Sequence, residues 1–217
     1  MSKIIRTEPA ILTDDPQALE NMIRQTETFT SHAQLDIMDG QFVPSRSVTC
    51  EDIAKVKTKL NWEAHLMVLH PEAYLKDFQQ AGAQKIVFHY EATASPQEII
   101  KLIRDLSMRV GLAVNPETPI TAITPLVNEI DGVLFLSVNP GFYGSKFIPE
   151  VIDKIAAFRS EQPDMEIGID GGIKESNIGQ IARSGVDVIY VGSAIYMQPQ
   201  PGESYQCLQA LAQANVP

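Results

Sequence analysis

Apolar, β-branched runs recur along the chain at IIRTEPAIL, AQLDIMD, WEAHLMV, KIVFHY, RVGLAVN, GVLFLSV, EIGIDGG and VIYVGSA. Their onsets fall roughly 20 to 35 residues apart, the length of a strand followed by its crossover helix. Between the runs the apolar positions change to helical spacing. DPQALENMIRQTETF opens on an Asp able to cap, HPEAYLKDFQQAG has Pro in its first turn and Gly past its end, and SPQEIIKLIRDLS follows the same grammar. NPETPITAITPLVNEI, FIPEVIDKIAAFRSE and KESNIGQIARSG supply further helices, the last stopping at a Gly suited to a C-cap. Alternation of this kind predicts a closed (β/α)8 TIM barrel rather than an open doubly wound sheet, since no glycine-rich dinucleotide fingerprint follows the first strand. No low-complexity or Gly/Ser-rich tract marks a linker, so residues 1–217 read as one domain.

A barrel places its chemistry at the carboxyl ends of the strands, and polar residues fall there: Thr13, Asp14, Asp36, Asp39, His65, His89, Asn115, Ser137, Asn139, Asp170 and Ser193. Asp14, Asp39, Asn115 and Asn139 adjoin turns or helix starts and read first as cap or turn residues. In AQLDIMD, strand alternation sends Gln34, Asp36 and Met38 to one face and Leu35 and Ile37 to the other. Asp36, His65 and Asp170 meet only if the sheet closes. Two carboxylates and an imidazole around one cavity can hold a divalent cation, and the carboxylates can serve as general base and acid. Glycines in NPGFYG (139–144), DGG (170–172) and GSA (192–194) follow the late strands, where backbone N–H groups approach a phosphate, and a short helix expected after the eighth strand would aim its positive end at the anion.

Charge narrows the partners. With 17 Lys and Arg against 27 Asp and Glu, the net charge of −10 argues against broad electrostatic binding to nucleic acid or an anionic membrane. Cys50 and Cys207 lack CxxC or metal-finger spacing, which fits free thiols, and no apolar run reaches membrane-spanning length. A cytoplasmic protein acting on a small molecule is expected, with a homo-oligomer left open.

The motifs LDIMDGQFVPS, AHLMVLHPE, VFHYEAT, LAVNPETP, SVNPGFYGSKF, IGIDGGI and VGSAIY resemble, in order and spacing, those of the ribulose-phosphate 3-epimerase family, over nearly the whole chain. The resemblance implies a (β/α)8 isomerase of the pentose phosphate pathway or Calvin cycle. Such an enzyme interconverts the ketose phosphates D-ribulose 5-phosphate and D-xylulose 5-phosphate through two aspartates and a divalent metal of the Zn, Fe or Mn class. Carried over by motif, Asp36 and Asp170 are the catalytic acids and also metal ligands, and His65 is a further ligand that meets substrate. Gly141, Phe142, Tyr143, Gly144, Gly171, Gly172, Gly192 and Ser193 form the substrate and phosphate site. Four positions depart from the pattern: Ala10 replaces a Ser, Gln34 a metal-binding His, and Tyr143 and Ser145 a Gly and a Gln. An amide oxygen from Gln34 is a poorer ligand than imidazole, so metal binding weaker than the family's is expected. A hexulose phosphate substrate, or a metal-depleted barrel that only binds sugar phosphates, are the alternative expectations.

Overall fold

The computed structural model describes residues 4–141 and 145–216. Its strands are β1 (Arg6–Ile11), β2 (His32–Met38), β3 (Asn61–Met67), β4 (Lys85–His89), β5 (Arg109–Val114), β6 (Gly132–Leu136), β7 (Glu166–Asp170) and β8 (Val188–Val191). Each pairs in parallel with the next, and β8 returns to β1, closing a TIM barrel. The outer ring comprises α1 (Pro16–Thr26), α2 (Cys50–Ala54), α3 (Leu75–Ala81), α4 (Pro96–Asp105), α5 (Ile120–Ile123), α6 (Glu150–Glu161), α7 (Glu175–Arg183), α8 (Ser193–Tyr196) and α9 (Pro201–Gln213).

Local chemistry sets the helix ends. Asp15 caps α1 by accepting from the Gln17 N–H, and Pro16 occupies the first turn, where a missing N–H costs nothing. Gly82 ends α3 in the left-handed conformation at φ 99°. The segment 115–130 departs from the single helix its spacing predicts. Pro119 and Pro125 break it into the four-residue α5 and a 3-10 turn over Thr124–Glu129.

Alternation along the strands sorts side chains into two cores. Outward-facing Leu35, Leu66, Phe88, Leu112, Phe135, Ile169 and Ile189 pack against helix residues such as Ile23, Phe78, Ile103 and Phe158. Each such buried side chain contributes about 1.5–3 kcal/mol. Inside the barrel, Ala10, Val87, Ala113, Leu134, Leu136, Val188 and Tyr190 form a smaller plug. Below that plug lie buried Glu8, Glu63 and Lys85; above it lie Gln34, Asp36, His65 and His89. The plug thus separates a charged floor from the polar mouth that carries the site.

Candidate active site

Three strands bring the leading residues together. The β2–β3 register sets Asp36 beside His65, and closure of the ring carries Asp170, the last residue of β7, across to them. One carboxylate oxygen from each aspartate and a ring nitrogen of His65 lie within 4.8 Å of one another. His65 Nδ1 is 2.9 Å from Asp36 Oδ1 and 3.7 Å from Asp170 Oδ2. Gln34 sits between the acids: its Nε2 donates to Asp36 Oδ1 and to Asp170 Oδ2, each at 3.0 Å, while its Oε1 is buried with no hydrogen-bond partner.

Burial governs the electrostatics. It pushes Asp36 up to about 8, against the Gln34 hydrogen bond and with help from the Glu63 charge. Asp170 is pushed up to about 7, first by burial and then by Asp36, although His65, Gln34 and the Gly171 N–H oppose the shift. The same desolvation lowers His65 and takes His89 down to about 4. Two acids this close and this dry do not both ionise readily, so neutral pH leaves a proton shared within the pair.

The cavity they face is also lined by Gly141, Gly171, Gly172, Gly192 and Ser193, with Ala10, Met38, Met67 and Ser145 completing part of the wall. Phe142, Tyr143 and Gly144 lie outside the described residues. Gly171 and Gly172 turn the chain at φ 114° and 64°, and a Cβ on Gly171 would stand 2.5 Å from Val138 Cγ2. Only glycine makes that turn without strain. Buried Ser137 clamps it, its single hydroxyl proton within reach of the carbonyls of both Gly171, at 2.7 Å, and Asp170, at 2.9 Å.

A sequence profile described as the Ribulose-phosphate 3 epimerase family matches residues 6–196. The chain belongs to that family. It is 37% identical over 213 residues to the ribulose-phosphate 3-epimerase of Synechocystis sp., covering 94% of this chain and 93% of that one. Identity is 38% over 181 residues to the cytoplasmic isoform from Oryza sativa subsp. japonica, covering 81% and 79%. Among solved structures, 3-hexulose-6-phosphate synthase from Salmonella typhimurium superposes with a TM-score of 0.72 at 15% identity, over 97% of this chain and all 100% of that one, a likeness of fold. As a member of the ribulose-phosphate 3-epimerase family the chain is an isomerase of the carbohydrate epimerase class.

The donor set fits a divalent cation: one imidazole nitrogen and two carboxylate oxygens converge on one point. Where the epimerase family carries a second imidazole, Gln34 presents its amide nitrogen to the acids. Turning that amide over would bring the orphaned Oε1 to the same point. Of the residues read as turns, Asp39 accepts from the N–H groups of Gln41, Phe42 and Leu69 at 2.8, 3.0 and 2.8 Å and so ties two loops together. His89, noted in the sequence as a strand-end residue and left out of the predicted site, contacts His65 directly, Nε2 to Nε2, at 3.0 Å. Its inward parity with Lys85 and Val87 along β4 was the available signal.

Proposed function

We propose that this chain interconverts D-ribulose 5-phosphate and D-xylulose 5-phosphate by moving a proton on and off C3, with Asp36 and Asp170 as the proton-carrying groups. The observation that carries the reading is the pair of buried carboxylates facing one cavity, each 3.0 Å from the same nitrogen of Gln34. Inversion requires a proton taken from one face of C3 and another delivered to the opposite face, since a single base would restore the starting configuration. With both acids raised toward neutrality by burial, one holds a proton while the other is free to accept one. Reversal of the reaction exchanges their roles.

Backbone groups of Gly171, Gly172 and Gly192, with Ser193, are positioned along the cavity to receive the phosphate by dipoles rather than by lysines, which suits a chain of net charge −10. Met38, Val43 and Met67, with Leu12 and Phe42 packed against them, form an apolar wall that keeps water from the carboxylates. Asp36, His65 and Asp170 would hold the divalent ion, of the Zn, Fe or Mn class. When bound, such an ion supplies positive charge to the substrate oxygen that becomes negative as the C3 proton leaves.

The test is turnover by the purified protein with D-ribulose 5-phosphate, and in parallel with a hexulose 6-phosphate. Xylulose 5-phosphate formation is expected. Turnover of the hexulose phosphate alone would reassign the substrate, and binding of both without turnover of either, in the presence of Zn, Mn or Fe, would contradict the proposal.

A further inference from the structure

A line of buried polar contacts runs outward from the site through β3, β4 and the turn that follows β4. His65 Nδ1 faces Asp36 Oδ1 at 2.9 Å, and His65 Nε2 faces His89 Nε2 at 3.0 Å. On its far side His89 Nδ1 lies 3.5 Å from Glu91 Oε2. Among the described residues neither of those last two atoms has a close hydrogen-bond partner, and nor does the buried Asn115 Oδ1; Glu91 and Asn115 both interact with His89, and both offer it an acceptor oxygen. The second oxygen of Glu91 accepts from the Asn115 N–H at 2.9 Å and from the Thr118 hydroxyl, which fixes it as an ionised acceptor.

Counting protons along this line decides the tautomers. There are three gaps to fill: Glu91 to His89, His89 to His65, and His65 to Asp36. Two neutral imidazoles bring one N–H each. Leaving the Glu91 gap empty would set a bare ring nitrogen against a carboxylate in a buried place. Filling it gives His89 its proton on Nδ1, which makes His89 Nε2 an acceptor. His65 must then carry its proton on Nε2, and its Nδ1 is left as a lone pair aimed at the two aspartates. The third gap lacks a proton and closes only with one borrowed from Asp36 or with a cation.

We infer that His89 and Glu91 are positioning residues that hold His65 in the Nε2–H tautomer, so that its Nδ1 is a ready-made ligand. Their reach matters more in this chain than in one with a second imidazole in the set, because Gln34 leaves His65 as the sole ring nitrogen among the donors. The inference rests on the proposed function only for what His65 is for. The tautomer itself is read without substrate or turnover.

The experiment is long-range proton–nitrogen NMR of the imidazoles in the metal-free full chain, paired with zinc titration by calorimetry. His65 in the wild type should carry its proton on Nε2, before and after zinc. Glu91→Gln, which keeps the shape and removes the charge, should move His65 toward the Nδ1–H form and weaken zinc about tenfold to a hundredfold. His89→Leu should weaken zinc by at least as much, and His89→Gln, which returns an acceptor near the Nε2 position, should recover part of the loss. A wild-type His65 protonated on Nδ1, or zinc affinity unchanged in both Glu91→Gln and His89→Leu, would overturn the inference. Zinc failing to bind the wild type would instead count against the metal site itself, and the metal-free spectrum would still decide the tautomer.

Discussion

At the scale of single residues, Gln34 is the most informative departure. Its amide donates to both acids at once and so offsets their mutual repulsion without carrying charge, while its stranded Oε1 costs about 1–3 kcal/mol of unmet hydrogen bonding. The side chain therefore serves as a neutral bridge between the two acids. Gln34→His should return the ligand and tighten zinc about tenfold or more in calorimetry. Unchanged affinity would place residue 34 outside the coordination shell. Asp36, His65 and Asp170 were legible in the sequence because inward parity and strand-end position both pointed at them. The pairing of His89 with His65 was not, because it depends on the β3–β4 register, which sets His65 against Val87 and so brings the next inward residue of β4 alongside. Nor does sequence say which end of a glutamine amide faces an acid.

Among the elements, periodicity located all eight strands and most helices, and it failed where burial is thin. Two helices went unread. The five-residue α2 buries only Ile53 and is held by a capping box between Thr49 and Asp52, too short a stretch for a period to emerge. The longer α9 buries Pro201, Leu208 and Ala212 among polar and small residues, so its apolar stripe is faint. The floor of the barrel was equally silent. There Lys85 on β4 reaches Glu63 on β3 at 3.1 Å and Glu166 on β7 at 3.0 Å, while Arg6 on β1 holds Glu166 at 2.8 Å and lies 3.6 Å from Glu8. Arg109 also reaches Glu166, at 3.5 Å, so all three cations of the floor converge on that acid and Glu8 keeps only the 3.6 Å approach of Arg6. Burial, then the Glu63 charge, pushes it from an ordinary 4.5 up to about 7, against the pull of Arg6 and Lys85. Folding thus favours the protonated form. The stabilisation from Glu8 is complete below its unfolded value and is lost as pH rises through about 7. Glu8→Gln, which imitates the protonated acid, should leave stability nearly unchanged at about pH 4 and raise it at about pH 8 by on the order of 3 kcal/mol in denaturant unfolding. A variant less stable than wild type at pH 8 would show that the Arg6 pair outweighs the desolvation.

For the molecule as a whole, the barrel divides labour along its axis: charged floor, apolar plug, and a mouth where buried acids meet a glycine-built cup. The acidic surface and the anionic substrate are compatible because the phosphate is to be met by fixed backbone dipoles at short range, where the net charge of −10 matters little. Among the described residues no helix is long and apolar enough to cross a membrane. The proposed inversion requires two acids working from opposite faces of one carbon. Its most direct test is deuterium incorporation at C3 of ribulose 5-phosphate in heavy water, followed for the wild type and for Asp36→Asn and Asp170→Asn. Wild type should return xylulose 5-phosphate labelled at C3, and each variant should lose inversion by three or more orders of magnitude. Either variant inverting C3 at close to the wild-type rate would contradict the account.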